Sequence, residues 1–334
     1  MHIAVTGGTG YVGAHIVSAL LTGGHRVRLL TEPGWSNDAL LARLTGLGEL
    51  SVMAGDVRRA EVIEELLTGC DAVLHAAGVV GTDDSREQLM WEINAHASER
   101  IMRRAVALNL DPVVLVSSYS ALFPPPTDVI TPDSPTAQGK SAYARTKSYA
   151  DTVARQLQRD GAPVVVTYPS SVVGPALDTA PGITEQGWGV IVRFGVAPRL
   201  RNAGMQMIDV RDVAEVHERV MRPGRGPHRY LCGGEMLSFD DMISALELGS
   251  GRRVRRIPLS ASMFRAVGRA SDLLAGIMPL GAGFSHEAAA LITAAIPMDD
   301  SATLRDLDLQ WRCPADAIRA TFSGATASRA GRND

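Results

Sequence analysis

The sequence contains few cysteines and no long apolar run. Its three cysteines, Cys70, Cys232 and Cys313, are far apart and lack the CxxC spacing of zinc and thiol-redox sites, which suits a reducing cytoplasm. No stretch reaches the roughly 18 apolar residues that a membrane span requires. The first residues enter a strand pattern without the basic and apolar regions of a secretory signal. We therefore expect a cytoplasmic protein with no membrane span.

An excess of charge of one sign is also missing. The chain has 33 Lys and Arg against 36 Asp and Glu, so its net charge is -3. This balance lacks the basic field that nucleic-acid binding leaves in a composition, so we expect small-molecule partners and no nucleic acid. A chain of 334 residues with 46% hydrophobic residues favours one large globular domain with a smaller lobe.

The first half of the chain alternates short apolar runs with helical patterns. This alternation is typical of a parallel sheet whose strands are joined by crossover helices. The sequence therefore predicts an α/β fold, a Rossmann-type doubly wound parallel sheet with a smaller C-terminal α/β substrate lobe. The six predicted strands cover residues 2–6, 26–31, 50–54, 72–75, 113–117 and 164–168. The predicted helices between them begin near Tyr11, Asn37, Arg59, Asp84 and Ser141.

After residue 168 the alternation gives way to loops rich in Pro and Gly, and irregular segments of this length are usually functional or disordered. We therefore predict an NAD(P)-binding domain over 1–170, which 205–218 rejoins, and a substrate-binding lobe over 171–322. The polar end, 323–334, is predicted to be disordered. Within the lobe, strands are expected at 229–232 and 254–258, and helices from 238, over 261–275 and over 285–296.

Three glycines, Gly7, Gly10 and Gly13, are spaced G-x-x-G-x-x-G between the first predicted strand and helix. Without a Cβ, they allow a tight turn, backbone N–H groups close to a diphosphate, and close packing of helix on strand. The helix N-terminus adds positive potential for the anion. The pattern predicts a dinucleotide-binding turn that includes Tyr11 and Val12, although a glycine-rich turn also arises by chance.

The choice between NAD and NADP depends on the end of the second strand, about twenty residues beyond the glycines. Thr31 and Glu32 occupy these positions. Neither can accept a 2′-phosphate as an arginine would, and Glu32 would repel one. We therefore expect NAD as the cofactor, with NADP as the alternative if Glu32 is only a solvated surface charge.

Further motifs follow along the chain, and with them it resembles the extended branch of the short-chain dehydrogenase/reductase superfamily, the NAD-dependent epimerase/dehydratase proteins. Within that superfamily it is most similar to the branch of dihydroflavonol reductases, cinnamoyl-CoA reductases and 3β-hydroxysteroid dehydrogenases. The motifs are TGGTGYVG (6–13), GDV (55–57), CDAVLHAAG (70–78), EIN (92–94), VSS (116–118), YARTK (143–147), TYPSSVVGP (167–175) and MIDVRDVAEVH (207–217).

The YARTK motif carries the predicted chemistry. Tyr143 and Lys147 are four residues apart and share a face of a predicted helix, so the ammonium can lie beside the phenol. A neighbouring cation favours the phenolate, and Tyr143 can then act as a general acid or base. A surface Tyr and Lys on an ordinary helix is the alternative. The resemblance implies that Lys147 also holds the nicotinamide ribose and that Ser118 hydrogen-bonds the substrate oxygen.

The resemblance implies further cofactor contacts. Asp56 and Val57 should meet the adenine, and Ala76, Ala77 and Gly78 should line the middle of the dinucleotide. Asn94 should brace the helix region around the active site, and Pro169 and Val172 should approach the carboxamide. It also implies a homodimer through the helices near 84–108 and 141–159, with a monomer as the alternative. His75, at the end of a predicted buried strand, is expected to be a core histidine.

Three functions fit these residues. The first is an oxidoreductase that transfers a hydride between nicotinamide and a hydroxyl or carbonyl of a small sterol-, flavonoid- or alicyclic-like substrate. The second is a nucleotide-sugar epimerase or dehydratase. Against it, Tyr119-Ser120 replace the Asp-Glu pair of sugar dehydratases, and TYPS replaces the RYFN of sugar epimerases. The third is a non-enzymatic NAD(P) sensor, a kind of relative that typically loses the Tyr or the Lys.

Overall fold

A computed structural model describes residues 1–81, 86–274 and 286–330, without the side chains of 272–274, 287 and 323–330. Its strands are β1 His2–Thr6, β2 Arg26–Thr31, β3 Leu50–Ala54, β4 Ala72–His75, β5 Val113–Val116, β6 Val164–Pro169, β7 Ser171–Val173, β8 Val196–Arg199, β9 Gly204–Asp209, β10 His228–Cys232, β11 Glu235–Ser238 and β12 Arg255–Pro258.

Its helices alternate with these strands. They are α1 Tyr11–Thr22, α2 Asp38–Thr45, α3 Ala60–Leu67, α4 Glu87–Met90, α5 Ser98–Ala107, α6 Ala142–Arg159, α7 Ile183–Phe194, α8 Val210–Val220, α9 Phe239–Ser250, α10 Ala261–Leu274, α11 His286–Ala294, α12 Ser301–Leu307 and α13 Pro314–Ala330. A π-helical segment, Trp91–Ala97, joins α4 to α5, and a short 3₁₀ helix, Tyr119–Leu122, follows β5.

Seven parallel strands form the central sheet, in the order β10-β6-β5-β4-β1-β2-β3. The strands are short apolar runs because helices cover both faces of the sheet. One face packs on α1 and α8 through side chains such as Leu20 and Val216, and the other on α3, α5 and α6 through Leu66, Ile101 and Val153. The strand order reverses between β1 and β4, which opens a crevice at the carboxyl ends of these strands.

The rest of the chain forms a smaller lobe. It contains a three-stranded sheet, β11-β9-β7, and the parallel pair β12-β8. A separate apolar core fills it, built from side chains of α7, α9, α10 and α13, among them Trp188, Phe239 and Ile318. The Rossmann-type α/β fold with a smaller lobe is therefore confirmed.

The strands of the first half are confirmed to within one residue at their ends, whereas the lobe differs from the prediction in several elements. Strand β10 belongs to the central sheet, although it falls within 171–322, the segment predicted as the lobe. Of the segment 205–218, α8 packs on α1, whereas β9 pairs with lobe strands. The segment after 168, predicted to be irregular, contains β7, α7 and β8.

Three expectations fall partly outside the described residues. The fourth predicted helix starts at Glu87 in the structure, and Asp84 lies outside. Residues 275 and 285, at one end of two predicted lobe helices, also lie outside. Helix α13 continues to Ala330, into the segment predicted to be disordered, and 331–334 are not described, so disorder of the tail stays a prediction.

Two expectations from composition concern the cysteines and a membrane span. All three cysteines are free thiols, with Cys232 buried and Cys313 exposed. Over the described ranges, no helix combines the length and the hydropathy needed to cross a bilayer. A cytoplasmic location stays a prediction.

Candidate active site

The turn between β1 and α1 is built from glycines. Gly7 has a φ of +74°, and a Cβ on it would lie 2.4 Å from the backbone N of Ala77. A Cβ on Gly13 would lie 2.1 Å from the carbonyl oxygen of Gly7. The amide of Gly10 donates to that same carbonyl at 3.1 Å. A side chain at Gly7 would push the turn away from the residues after β4, and one at Gly13 would push α1 away from the turn.

The first turn of α1 suits an anionic ligand. Helix α1 begins after Gly10 with no side-chain cap on its amides and no acidic residue in its first turn. Uncapped amides at a helix N-terminus carry partial positive charge and need hydrogen-bond acceptors. Tyr11 and Val12 supply amides of this turn. The residues present therefore fit the diphosphate of a dinucleotide.

The end of β2 lies at the same edge of the sheet. Thr31 is its last residue and is buried, whereas Glu32 is exposed just beyond it. Asp56, after β3, accepts hydrogen bonds from the backbone amide and guanidinium of Arg58, which lower the pKa of its carboxyl. Val57 packs against the core beneath α3 and α5. These residues flank the place predicted for adenosine, and their contact with it stays a prediction.

The Tyr143–Lys147 pair faces the crevice. The ammonium Nζ of Lys147 lies 5.9 Å from the centre of the Tyr143 ring. It donates to the carbonyl oxygen of Val116, the last residue of β5, at 3.2 Å. Lys147 is 8% exposed, and burial lowers its pKa to about 8. The predicted arrangement of these two side chains at the carboxyl ends of the central strands is therefore present.

Gly78 and Asn94 complete the surroundings of the ammonium. A Cβ on Gly78 would lie 3.6 Å from Nζ of Lys147 and 3.3 Å from Oδ1 of Asn94. Asn94 accepts from the amide of Val79 at 2.7 Å, and its amide nitrogen donates to the Val79 carbonyl at 2.9 Å and to Thr146 Oγ1 at 3.3 Å. Asn94 thus links the segment after β4 to α6, and its role at the active site stays a prediction.

Ser118 lies two residues beyond the end of β5, at the same edge of the sheet as Lys147. Its side chain is half-buried. Its Oγ accepts from the amide of Ser120 at 3.2 Å and from the Ser120 hydroxyl at 3.0 Å. In both bonds the Ser118 oxygen accepts through its lone pairs, so the hydrogen of its hydroxyl group can still be donated. The oxygen could therefore orient a substrate hydroxyl or carbonyl.

The remaining predicted residues lie after β4, at the end of β6 and in β7. Ala76 and Ala77 follow β4 and contact the glycine turn, where the Ala77 amide donates to Thr6 Oγ1 at 3.2 Å. Pro169 ends β6 and Val172 lies in β7. The approach of these two residues to the carboxamide stays a prediction.

His75 is a core histidine, as expected. It is 1% exposed, and its Nδ1 and Nε2 lie 2.6 Å from Thr6 Oγ1 and 2.8 Å from Ser98 Oγ. Burial, with a smaller effect of the Lys147 charge, lowers its pKa to about 3. A neutral imidazole with both nitrogens engaged holds β1, β4 and α5 together and is not placed for catalysis.

Sequence reasoning missed the environment of the Tyr11 side chain. Its hydroxyl donates to the carbonyl of Gly174 at 2.7 Å and to Glu185 Oε1 at 3.0 Å. Glu185 is 4% exposed, and burial raises its pKa to about 7. The available signal was a glutamate three residues after Gly182, the usual place for Glu in a helix start, in a segment predicted to be irregular.

The glycine turn, the uncapped α1 and the Tyr143–Lys147 pair meet at one edge of a Rossmann-type sheet. Together they define a nicotinamide-dinucleotide enzyme of the extended short-chain dehydrogenase/reductase type. The model of the NAD dependent epimerase/dehydratase family matches residues 3–233. The chain belongs to this family, whose enzymes depend on NAD.

Individual proteins support the same placement. Cinnamoyl-CoA reductase 1 of Oryza sativa subsp. japonica is 27% identical over 258 residues, covering 73% of this chain and 74% of that protein. Sterol demethylase protein B of Methylococcus capsulatus is 26% identical over 337 aligned positions, covering 98% of both chains. A UDP-glucose-4-epimerase of Stenotrophomonas maltophila, crystallised with NAD and formylated UDP-arabinopyranose, superposes with a TM-score of 0.77 over 99% of both chains at 20% identity, a likeness of fold.

Proposed function

We propose that the protein is an NAD-dependent oxidoreductase that interconverts a hydroxyl and a carbonyl on a small apolar substrate. The proposal rests on the buried ammonium of Lys147, which lies 5.9 Å from the Tyr143 ring centre and beside Gly78 in the crevice. Bound NAD supplies the two-electron part of the reaction, accepting a hydride in oxidation and returning it in reduction. The protein supplies the proton and the orientation.

Tyr143 is the proposed general acid and base. In reduction its phenol gives a proton to the carbonyl oxygen, and in oxidation its phenolate takes the proton of the hydroxyl. The Lys147 charge stabilises the phenolate, which has an ordinary pKa of about 10. Ser118 donates to the same substrate oxygen and fixes its direction. Lys147 would also hold the nicotinamide ribose hydroxyls, with Asn94 keeping its surroundings rigid.

The cofactor contacts follow the predicted positions. The first-turn amides of α1, after Gly7 and Gly10, hold the diphosphate, and Thr31 and Glu32 face the adenosine ribose. The exposed carboxylate of Glu32 opposes a 2′-phosphate, so we propose NAD in preference to NADP.

An apolar substrate agrees with the residues around Ser118 and with the relatives. Tyr119 and Ser120 follow Ser118, and neither is a carboxylate that could serve sugar dehydration. Two relatives with 26–27% identity are named for cinnamoyl-CoA reduction and sterol demethylation. We therefore propose a substrate of the alicyclic or aromatic class and place nucleotide sugars second.

A paired assay tests this function. Purified protein is incubated with NAD and a panel of alicyclic, sterol and aryl alcohols, and the formation of NADH is followed by its absorbance. The same protein is incubated with UDP-sugars, and the sugars are analysed by NMR. NADH formation with an apolar alcohol supports the proposal. Conversion of a UDP-sugar without net NADH establishes the epimerase alternative, and NAD binding without turnover in either arm establishes a sensor.

A further inference from the structure

The Tyr11 hydroxyl links the glycine turn to the lobe. Besides donating to Gly174 and Glu185, it shares the Glu185 Oε1 acceptor with the Gly174 amide, which donates to that oxygen at 3.0 Å. Tyr11 is the first residue of α1, and Glu185 lies in α7. One carboxylate oxygen thus fixes both the start of the segment 174–182 and the side chain beside the predicted diphosphate site.

The segment 174–182 also contacts the outer sides of α1 and α2. His15 Nε2 lies 2.9 Å from the Pro175 carbonyl oxygen. Asn37, the N-cap of α2, donates to the carbonyl of Asp178 at 2.7 Å, and Arg43 pairs with the Asp178 carboxylate at 2.5 Å. The segment therefore spans the two helices that follow β1 and β2, the strands at which a dinucleotide is bound in this fold.

The Glu185 carboxyl is buried in a space that a side chain at position 182 would fill. Its carboxyl is 4% exposed, and Oε2 has no hydrogen-bond partner within the described part of the chain. A Cβ on Gly182 would lie 2.4 Å from Oε2, so the absence of a side chain at 182 is what leaves room for this carboxyl. The other charged groups that act on Tyr11 and its neighbour His15 are Asp209 and Arg211.

We propose that Glu185 is a positioning residue for the cofactor: through Tyr11 it holds the first turn of α1, so the dinucleotide leaves only after the contacts of segment 174–182 with α1 have broken. The inference rests on the proposed cofactor site. A buried hydrogen bond from a side chain of the first turn restricts the orientation of the amides beside it, and preorganised amides bind an anion more tightly. Segment 174–182 then acts as a latch on cofactor exchange.

The test measures the release of NADH by stopped-flow fluorescence. Tyr11→Phe removes the hydroxyl and keeps the ring, so the dissociation rate constant should rise about tenfold, the effect of one to two net hydrogen bonds. The KM for NAD should rise as well. Glu185→Leu should act in the same direction. Glu185→Gln keeps an acceptor oxygen and should release NADH within about twofold of the wild-type rate.

Thr179→Ala is the matched control, because the Thr179 hydroxyl donates within the same segment, to the Ala180 carbonyl at 3.1 Å. It should release NADH at the wild-type rate. An unchanged rate in Tyr11→Phe overturns the inference while leaving the proposed function intact, and so does an equal increase in Thr179→Ala. Wild-type protein that binds no NADH overturns both. A lower melting temperature of Tyr11→Phe with unchanged NADH release identifies a purely structural contact and also overturns the inference.

Discussion

The ammonium of Lys147 lies 5.9 Å from the centre of the Tyr143 ring, one helical turn along the same face of α6. Its hydrogen-bond acceptor is the Val116 carbonyl, and no carboxylate pairs with it over the residues that the structure describes. Little solvent screens the field of a buried cation without a counter-ion, so it acts strongly on nearby groups. The Tyr143 phenol lies within this field, which favours its phenolate.

Replacing Tyr143 with Phe should lower kcat by about 10²- to 10⁴-fold, the usual contribution of general acid–base catalysis. NAD affinity should change by less than about tenfold, because removing one neutral hydroxyl alters binding by no more than a typical hydrogen bond. Steady-state kinetics and isothermal titration calorimetry measure the two effects.

Tyr149→Phe provides the control on the same helix, since its hydroxyl donates to Glu99 at 2.6 Å. That variant should keep near-wild-type turnover. If Tyr143→Phe also kept it, Tyr143 would not be the proton donor.

The sequence predicted the central sheet well because most of its strands are short apolar runs, five of the seven followed directly by Gly or Ser, and these local patterns need no tertiary information. The Tyr143–Lys147 pair was predictable for the same reason, since helical spacing alone places both on one face. The lobe was not: β7 and β8 have three and four residues, and their pairing with β9 and β12 depends on distant parts of the chain. The Tyr11–Glu185 bond likewise joins residues far apart in sequence.

Lys147 should lose its proton at lower pH than lysine ordinarily does. Burial lowers its pKa from 10.5 to about 8 in the folded protein. Because the unfolded chain binds more protons between these values, the stability of the protein should rise from pH 8 to about pH 10 through this residue, and the cost of the buried charge is fully present below pH 8. The chain has only two lysines, so ¹³Cε-lysine labelling gives two side-chain NMR signals.

The Lys147→Met variant assigns the Lys147 signal, because this signal is missing from its spectrum. In the cofactor-free wild-type protein the Lys147 signal should titrate near pH 8. Lys140, which is exposed, gives the other signal. A Lys147 signal that showed no titration below pH 10 would contradict the buried environment of Lys147.

Glu32→Arg should shift cofactor preference toward NADP. The exposed carboxylate beyond β2 repels a 2′-phosphate, and a guanidinium there can pair with it. We expect the ratio of kcat/KM for NADP over NAD to rise at least about tenfold, which corresponds to roughly 1.4 kcal/mol. Initial rates with each cofactor measure this ratio.

Glu49→Arg makes the same charge change at an exposed position before β3, at the opposite edge of the parallel sheet, and should leave the ratio unchanged. An equal rise in both variants would show that net charge, and not the position of Glu32, sets the preference.

Glu185→Gln should stabilise the protein increasingly as the pH rises. Burial raises the pKa of Glu185 from 4.5 to about 7, so the folded protein keeps a proton that the unfolded chain releases. The stability contributed by this proton is fully present below pH 4.5 and is lost as the pH rises to 7, by about 3 kcal/mol from the two pKa values.

Glutamine needs no proton, so the unfolding free energy of Glu185→Gln minus that of wild type should grow between pH 5 and pH 8. Urea unfolding at each pH measures the difference. A difference that stays flat with pH would mean that the carboxyl of Glu185 is ionised and solvated in the folded protein.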